Sequence, residues 1–429
     1  MTEQITKPLR PARCPVRLIP SQVDKESITS QPKARDSPLK RLRRDLRTCL
    51  QLLPKLPNIF RPLYAPRPTD ELYLGKRSIL NVVGLVLVSV LEALLLLISC
   101  LSILLLPGAI SCCLCVLNLR IVGWVCAPFH GPAIFHAELG PNNARNPTTK
   151  EERWIFINGV VVTQLAQIFQ RPITGIQNRT YGLFGDLLEC IIQRTFSYNT
   201  YDARVAYDYL KKVLVDPCTQ RVVLICHSQG AIVGSLALDM LFADLPAKQM
   251  AKLEIYTFGS AAEHISNPLN NAGTGGVIKY IEHYVNKNDP IPQWGVLRSM
   301  NDVKDKYAGR VFICENGRGH LFNQHYLSQM FPLGGETASS ETCFLNQSVQ
   351  VDEGITEARH LLVCQETNGL TPNDDSPSSP SGTAARGAIG FLTGMLVREV
   401  SRLSQYMAGR EPDVDHPHEK RDSKGYPVN

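Results

Sequence analysis

The chain has 429 residues, of which 44% are hydrophobic, and this length allows one α/β domain of about 200 residues together with accessory segments. The formal net charge of +6 is a mild excess, concentrated near the N-terminus, and by itself implies no nucleic-acid partner. The 13 cysteines do not form the paired CxxC motifs, or the Cys and His spacing, of a zinc site. The sequence also has no Walker-type phosphate loop, HExxH motif or EF-hand loop, so neither a metal nor a cofactor is expected.

Residues 1–77 are predicted to be a basic, largely disordered arm. The first 38 residues are rich in Pro, Ser, Lys and Arg and show no apolar periodicity. A basic cluster at residues 40–47 then leads into the leucines of a short amphipathic helix, which several prolines between residues 54 and 68 interrupt. The cluster fits either contact with anionic lipid headgroups or an ordinary solvated linker.

Residues 78–129 are predicted to be a transmembrane or re-entrant helical segment. Residues 78–106 are almost continuously apolar, with Glu92 as the single charge, and a bilayer requires about 20 such residues. A second apolar stretch, residues 109–129 with Arg120 inside it, follows the Pro107-Gly108 turn signal. A hairpin of two spans, or one span with a re-entrant segment, fits this pattern. The run begins too late and is too long for a signal peptide.

The side on which the following domain lies depends on the number of spans. Lys and Arg residues precede the first apolar run, so the positive-inside rule places the N-terminus in the cytosol. A hairpin would keep the following domain in the cytosol, whereas a single span would place it in the lumen. We expect an integral membrane protein with one or two spans, and the hairpin is the preferred arrangement.

Residues 221–241 predict a strand, a sharp turn and a helix. Residues 222–225 form a short apolar run typical of a buried strand, and residues 231–241 are predicted to be helical. Ser228 lies in the turn between them. This order is that of a nucleophile elbow, in which the serine Oγ stands above the sheet edge and the N–H of the next residue, Gln229, points to the position of an oxyanion.

Close packing of the strand and the helix at such an elbow requires small residues two positions before and after the serine. Gly230 meets this requirement, and Cys226 is a small substitute for the usual glycine. With its CHSQG pattern, the chain resembles the lipase/esterase-like branch of the α/β-hydrolase superfamily over about residues 150–333. It is most similar there to uncharacterised fungal membrane-associated hydrolases with an HSQG elbow. The resemblance implies an α/β-hydrolase fold with a mostly parallel, doubly wound sheet and a triad in the order Ser, Asp, His.

The triad acid is expected just after a strand of this sheet. Residues 277–285 are predicted to be a strand, and Asp289 follows in an Asn-Asp-Pro-Ile-Pro loop similar to the acid-bearing loops of lipases. Asp302 and Asp305 are weaker candidates, because no apolar strand directly precedes them.

The base is expected on a loop after the last strand, which we predict at residues 310–314. His320 follows a glycine-rich stretch there and is the preferred base, so that the predicted triad is Ser228, Asp289 and His320. His325 is the alternative, although it falls in a predicted helix. His227 is expected to orient the turn or to contact substrate.

The second oxyanion donor is expected from the turn that follows an early strand at residues 154–157. The resemblance implies that the backbone N–H of Gly159 or Val160 joins that of Gln229 in binding the oxyanion. An ordinary tight turn is the alternative, because Asn158-Gly159 is a common turn dipeptide.

Residues 334–429 are predicted to be a mostly disordered tail. Pro, Ser, Thr, Gly and Asp dominate residues 371–386. Apolar residues then recur at steps of three and four near 388–408, which predicts a short amphipathic helix.

These predictions combine into a membrane-anchored serine hydrolase, a lipase- or esterase-like enzyme that cleaves an ester through an acyl-enzyme. A lipid or acyl-ester substrate is expected, because the membrane segment would hold the site near the bilayer. The alternative is a non-catalytic membrane scaffold that retains the hydrolase fold. No nucleic-acid partner is expected, and the sequence identifies no protein partner.

Overall fold

The computed structural model describes residues 15–21, 37–137, 151–158, 162–270, 275–302, 307–333, 340, 343–352 and 392–412. Nine strands form one sheet in the order β2-β4-β3-β5-β6-β7-β8-β1-β9. In chain order the strands are β1 (Val16–Ile19), β2 (Ile134–Ala137), β3 (Glu152–Ile157), β4 (Ile173–Ile176), β5 (Arg221–His227), β6 (Leu253–Phe258), β7 (Tyr280–Asn286), β8 (Arg310–Cys314) and β9 (Val349–Val351).

Strands β3 to β8 are mutually parallel, whereas β2 pairs antiparallel with β4 and β1 antiparallel with β8. The central strands are short runs of branched and aromatic residues, and every residue of β6 is buried. Burial on both faces is the usual reason why parallel strands are apolar throughout.

Helices cover both faces of this sheet. In chain order, the first seven are α1 (Pro38–Leu52), α2 (Lys76–Leu105), α3 (Gly108–Cys126), α4 (Thr163–Phe169), α5 (Gly182–Phe196), α6 (Tyr201–Val215) and α7 (Gly230–Asp244). They are followed by α8 (Ala247–Met250), α9 (Pro290–Trp294), α10 (Val296–Asp302), α11 (Ser328–Met330), α12 (Val397–Val400) and α13 (Arg402–Gln405).

The strand order reverses beside β3, which has β4 on one side and β5 on the other. Helix α4 packs in the apolar core on one face of the sheet, and α6 and α7 pack in the core on the opposite face. The chain therefore continues to opposite faces of the sheet after β3 and after β5. This leaves a crevice between their carboxyl ends, and sheets of this kind bind ligands in that crevice. Ile157 pairs with Cys226 in register, so the turn after β3 lies beside the turn after β5.

The N-terminal arm differs from the prediction of a largely disordered segment. Within it, β1 pairs antiparallel with β8 and parallel with β9, and α1 packs against α5. Asp45 and Arg194 form an ion pair of 3.2 Å between these helices, and both side chains are 2% exposed. The inner face of α1 therefore makes polar contacts, which apolar periodicity does not detect. Residues 1–14 and 22–36 lie outside the described residues.

The C-terminal tail also differs from its prediction. It contributes β9 to the sheet, and the single helix predicted near 388–408 is instead the pair α12 and α13, separated by Ser401 in an extended conformation. The buried carboxylate of Glu282 accepts hydrogen bonds from Arg402 N at 2.9 Å and Leu403 N at 3.2 Å, which fixes the start of α13. Residues 388–391 lie outside the described part.

Helices α2 and α3 form an antiparallel hairpin with its tip at Pro107. Residues 79–105 and 108–129 are long and apolar enough to cross a membrane by length and composition. The polar side chains between the two helices bind within the hairpin: Ser111 Oγ donates to the Ser102 carbonyl at 2.6 Å, and Asn118 Nδ2 donates to Ser99 Oγ at 2.8 Å.

Candidate active site

Ser228 lies at the turn between β5 and α7 in a strained conformation. Its φ of +55° is in the left-handed region, which non-glycine residues rarely adopt. The turn is held by two backbone hydrogen bonds, from Ser228 N to the Phe258 carbonyl at 3.1 Å and from Ala261 N to the Ser228 carbonyl at 3.2 Å. A Cβ on Gly230 would lie 2.1 Å from the Ile157 carbonyl oxygen, so only glycine allows α7 to start this close to β3.

Cys226 and Gly234 explain how this turn accommodates a residue larger than glycine two positions before the serine. A Cβ on Gly234 would lie 2.9 Å from the Cys226 Sγ. The thiol therefore occupies space that the missing side chain of Gly234 leaves open in the helix. Burial raises the pKa of this thiol, so it remains protonated and acts as a small apolar group.

Ser228, His320 and Asp289 form a continuous hydrogen-bonded chain. The His320 Nε2 lies 2.7 Å from the Ser228 Oγ, and the His320 Nδ1 lies 2.6 Å from the Asp289 Oδ2. With Nδ1–H donating to the carboxylate, Nε2 is free to accept the serine proton. The structure thus brings together the three residues that the sequence placed at the ends of β5, β7 and β8.

The carboxylate of Asp289 is fixed by two further donors. Asp289 is fully buried and precedes α9, where its Oδ1 accepts a hydrogen bond from Ile291 N at 2.9 Å. Tyr326 donates its hydroxyl to the Asp289 Oδ2 at 2.7 Å. Of the alternative acids, Asp302 is the last residue of α10 and Asp305 lies outside the described residues.

The loop that carries His320 is held from two sides. The Asn286 amide donates to the carbonyls of Gly319 and His325, both at 3.1 Å. On the other side, His320 N donates to the Ile59 carbonyl of the N-terminal arm at 2.9 Å. Gly319 has a φ of +83°, and a Cβ there would lie 2.2 Å from the His325 Nδ1, so the close approach of loop and ring requires glycine.

His325 uses both ring nitrogens in contacts other than Ser228. Its Nδ1 accepts a hydrogen bond from Leu321 N at 3.1 Å, and its Nε2 donates to the Pro62 carbonyl at 2.9 Å. It lies in a π-helix, Phe322–Leu327, that continues into α11. Burial lowers the pKa of the ring, which keeps His325 neutral. These contacts assign His325 a structural position beneath the His320 loop.

His227 bridges the elbow and the His320 loop. Its Nε2–H donates to the His320 carbonyl at 2.8 Å, and its Nδ1 accepts from the Asn158 amide at 2.8 Å. Burial, and secondarily the proximity of His320, hold the pKa of His227 well below its usual value, so the ring is neutral. Sequence reasoning did not identify this bridge, because no local pattern reports a partner 93 residues away in the chain.

Of the three residues predicted to bind an oxyanion, the structure describes only Gln229. Gln229 is the N-cap residue of α7, so its backbone N–H lies at the N-terminus of the helix, where the helix dipole favours negative charge. The other two predicted donors, Gly159 and Val160, lie outside the described residues. Asn158, the last described residue of that turn, also donates its amide to the His227 carbonyl at 3.0 Å, which ties the end of β3 to the elbow.

Helix α5 borders the site through the side chain of Gln229. The Gln229 Nε2 donates to the Glu189 Oε2 at 2.9 Å and to the Gln193 Oε1 at 3.4 Å. Burial raises the pKa of Glu189 to about 7. The residue next to Ser228 is therefore in contact with a carboxyl group that titrates near neutral pH.

Residues 59–71 of the arm form a strap across the π-helix that follows His320. Glu71 accepts hydrogen bonds from Asn323 N at 2.7 Å and Gln324 N at 3.0 Å. The Gln324 amide donates back to the carbonyls of Pro62 at 2.7 Å and Tyr64 at 3.0 Å. Burial raises the pKa of Glu71. The prolines of the arm predicted a break in regular secondary structure. In the strap, backbone carbonyls that are not used in a helix or strand accept hydrogen bonds from Gln324.

Among the residues that the structure describes, no group of three or more His, Cys, Asp or Glu side chains could hold a metal ion.

No family model and no curated protein matches the chain. One similar solved structure is described as an "Alpha/Beta hydrolase fold protein of unknown function". It is 12% identical, with a TM-score of 0.24, and the match covers 56% of this chain and 93% of that chain. A likeness of this size carries no argument, and the similarity to fungal membrane-associated hydrolases remains a prediction.

Proposed function

We propose that this chain is a membrane-anchored serine hydrolase of the α/β-hydrolase fold that cleaves an ester of a lipid or acyl substrate. The observation that carries the proposal is the continuous chain of hydrogen bonds from the half-buried Ser228 through His320 to the buried Asp289 at a strained strand–helix turn. Supporting it, the nucleophile, acid and base follow β5, β7 and β8 in the order Ser, Asp, His that α/β-hydrolases use.

In the proposed reaction, His320 Nε2 accepts the Ser228 proton as Oγ attacks the ester carbonyl carbon. The Asp289 carboxylate stabilises the imidazolium and holds its Nδ1–H in place. The N–H of Gln229 binds the oxyanion of the tetrahedral intermediate. His320 then protonates the departing alkoxide, which leaves an acyl-enzyme on Ser228. Water attacks this acyl group with His320 as base, releases the acid and restores the serine.

The membrane part of the proposal rests on the hairpin of α2 and α3. In these two adjacent apolar helices, Ser102, Ser111 and Asn118 are buried and bond within the hairpin, and the outward side chains are mostly apolar, with Arg120 as an exposed charge on α3. A mostly apolar exterior with internally paired polar groups suits a segment in lipid. An enzyme fixed beside lipid by such a hairpin would meet lipid esters at high local concentration, which is the reason for preferring that substrate class.

The test is labelling with a fluorophosphonate, which phosphonylates an activated serine. We expect the full-length protein to be labelled and the Ser228→Ala variant not to be. Turnover of a short-chain ester should fall by a factor of about 10³ or more in Ser228→Ala. Folded, unlabelled wild-type protein would instead support a non-catalytic scaffold, and turnover retained in Ser228→Ala would refute the assignment of the nucleophile.

A further inference from the structure

Large exposed apolar side chains are concentrated in two stretches of the described chain. Apart from Val215 and Leu333, all of them fall within residues 39–129 and 183–201. The hairpin of α2 and α3 contributes many of them, but α1 and α5 also contribute, although neither is long and apolar enough to cross a membrane. Concentrated exposure of this kind marks an interaction surface.

Helix α5 has two different faces. Its outer face exposes six large apolar side chains by between 36% and 55%: Leu183, Phe184, Leu187, Leu188, Ile192 and Phe196. Its inner face carries Glu189 and Gln193, which bind Gln229 beside Ser228. The apolar outer face is thus separated from the candidate site by the thickness of one helix.

Helix α1 continues this surface with a basic character. Leu39, Leu46 and Leu50 are 45–66% exposed, and the exposed Arg43 and Arg47 lie between them. On such a face the leucines can enter the acyl boundary while the arginine side chains extend their charged groups to anionic headgroups. The Asp45–Arg194 ion pair fixes α1 against α5, so the two faces belong to one surface.

Glu92 joins the hairpin to the same surface. Its carboxylate accepts hydrogen bonds from Phe184 N and Gly185 N, both at 3.1 Å, and so satisfies donors of the first turn of α5. A Cβ on Gly182 would lie 2.4 Å from the Glu92 Oε2, which shows how closely the two helices approach. Glu92, the only charged residue of α2 after its first two residues, therefore marks the level at which the folded body meets the hairpin.

The fold on either side of the hairpin restricts its path through a bilayer. Strand β1 and helix α1 precede the hairpin, yet they pack in the same body as β8, β9 and α5, which follow it. Both ends of the hairpin must therefore lie on one side of the membrane, which excludes a single span. The hairpin either crosses twice or enters and returns.

Depth decides between these two paths. From Glu92 to Leu105, α2 rises about 20 Å at roughly 1.5 Å per residue, whereas the hydrocarbon core is about 30 Å thick. A full crossing would place Glu92 and the start of α5 inside the hydrocarbon, together with the polar body to which α5 belongs. Entry of only the part beyond Glu92 leaves α5 at the headgroup level.

We infer that α1, α5 and the distal half of the α2–α3 hairpin form one monotopic bilayer-binding surface, with the hairpin inserted from one side without crossing. The inference rests on the membrane location in the proposed function, but not on hydrolysis. Its partner is a phospholipid bilayer that contains anionic lipid. The surface places the inner face of α5, and Ser228 behind it, next to the leaflet that the hairpin enters.

The first test is photo-crosslinking in phosphatidylcholine vesicles that contain phosphatidylserine. A diazirine amino acid replaces Leu188 on α5 or, as the matched control, the exposed Val215 at the end of α6, in otherwise full-length protein. We expect crosslinks to phospholipid to be about tenfold or more frequent at position 188 than at 215. Equal frequencies, or none at 188 in vesicle-bound protein, would overturn the assignment of the surface.

The second test concerns the hairpin tip. A Cβ on Gly108 would meet nothing within 4 Å, so Gly108→Cys fits the structure. We expect a membrane-impermeant maleimide to modify this cysteine from neither side of sealed vesicles, and to modify it after detergent is added, with the site mapped by mass spectrometry. Modification from the side opposite the body would show a double crossing and overturn the inference. Because neither readout uses turnover, both remain informative if the chain proves not to be a hydrolase.

Discussion

The assignment of the base can be tested by comparing two histidines five residues apart. His320 contacts both Ser228 and Asp289, at 2.7 Å and 2.6 Å, so its replacement removes the proton acceptor and disconnects the acid. Residues of such a triad act as a unit, and the loss from one can approach the loss from all three. We therefore expect His320→Ala to lower kcat by about 10³-fold or more, as completely as Ser228→Ala.

His325→Ala should act on stability instead. It removes one hydrogen bond to the Leu321 N–H and one to the Pro62 carbonyl, each at a cost of about 1–3 kcal/mol if the group stays buried and unpaired. The His320 loop keeps its bonds to Asn286 and Ile59, so the base is displaced little. A small displacement of His320 that raises the activation free energy by roughly 1.4 kcal/mol would lower kcat about tenfold.

The assay combines short-chain ester turnover, the rate of fluorophosphonate labelling and the urea midpoint of unfolding, all in one detergent. We expect His320→Ala to lose turnover and labelling, with an unfolding free energy lowered by no more than the about 1–3 kcal/mol that breaking its buried hydrogen bond to Asp289 costs. His325→Ala should unfold at lower urea while it is still labelled. If instead His325→Ala abolishes labelling with an unchanged midpoint and His320→Ala remains active, the triad geometry does not represent the working site.

Three further changes probe the surroundings. Gly230→Ala places a Cβ 2.1 Å from the Ile157 carbonyl oxygen, so we expect about 1–3 kcal/mol lower unfolding free energy and at least tenfold slower turnover; wild-type values in both would contradict the close packing. Tyr326→Phe removes the 2.7 Å hydrogen bond to Asp289 and should lower kcat/KM about tenfold, with the same short-chain esters, whereas an unchanged value would show that the hydroxyl has no influence on the acid. Because burial raises the Glu189 pKa from 4.5 to about 7, the folded state holds this proton more tightly and loses stability as pH rises between these values. Glu189→Gln should therefore be more stable than wild type at pH 8 but not at pH 4, and a difference independent of pH in urea titrations would refute the shift.

Local pattern is sufficient to predict the elbow and the positions of the acid and the base. The apolar run before Ser228, the glycine after it and the helix that follows are all encoded within about 20 residues. Asp289 and His320 could be placed because each follows a recognisable strand. Their roles remain predictions, but their positions follow from the rule that parallel strands present their carboxyl ends at one edge.

The contacts that hold the site could not be predicted in this way. His227, Tyr326 and Glu71 each bind a partner tens to hundreds of residues away, and nothing in their immediate neighbours indicates it. The pairing of β1 with β8 was missed for the same reason, since a four-residue strand in a proline-rich arm has too short a pattern to detect. Glu92 was recognised as the single charge of the apolar run at residues 78–106, but its partners on α5 are evident only in the fold.

The pairing of β1 with β8 also sets an order of events during synthesis. About 290 residues separate the two strands, which corresponds to ~15–60 s at typical rates of translation. The hairpin leaves the ribosome early in this interval, before β8 and β9, the partner strands of β1, have been synthesised. In the proposed membrane-anchored protein the hairpin would therefore insert before the sheet can close and before the strap can pack on the His320 loop. Delivery to the membrane would therefore precede completion of the site, so that a nascent chain is anchored before it can become active.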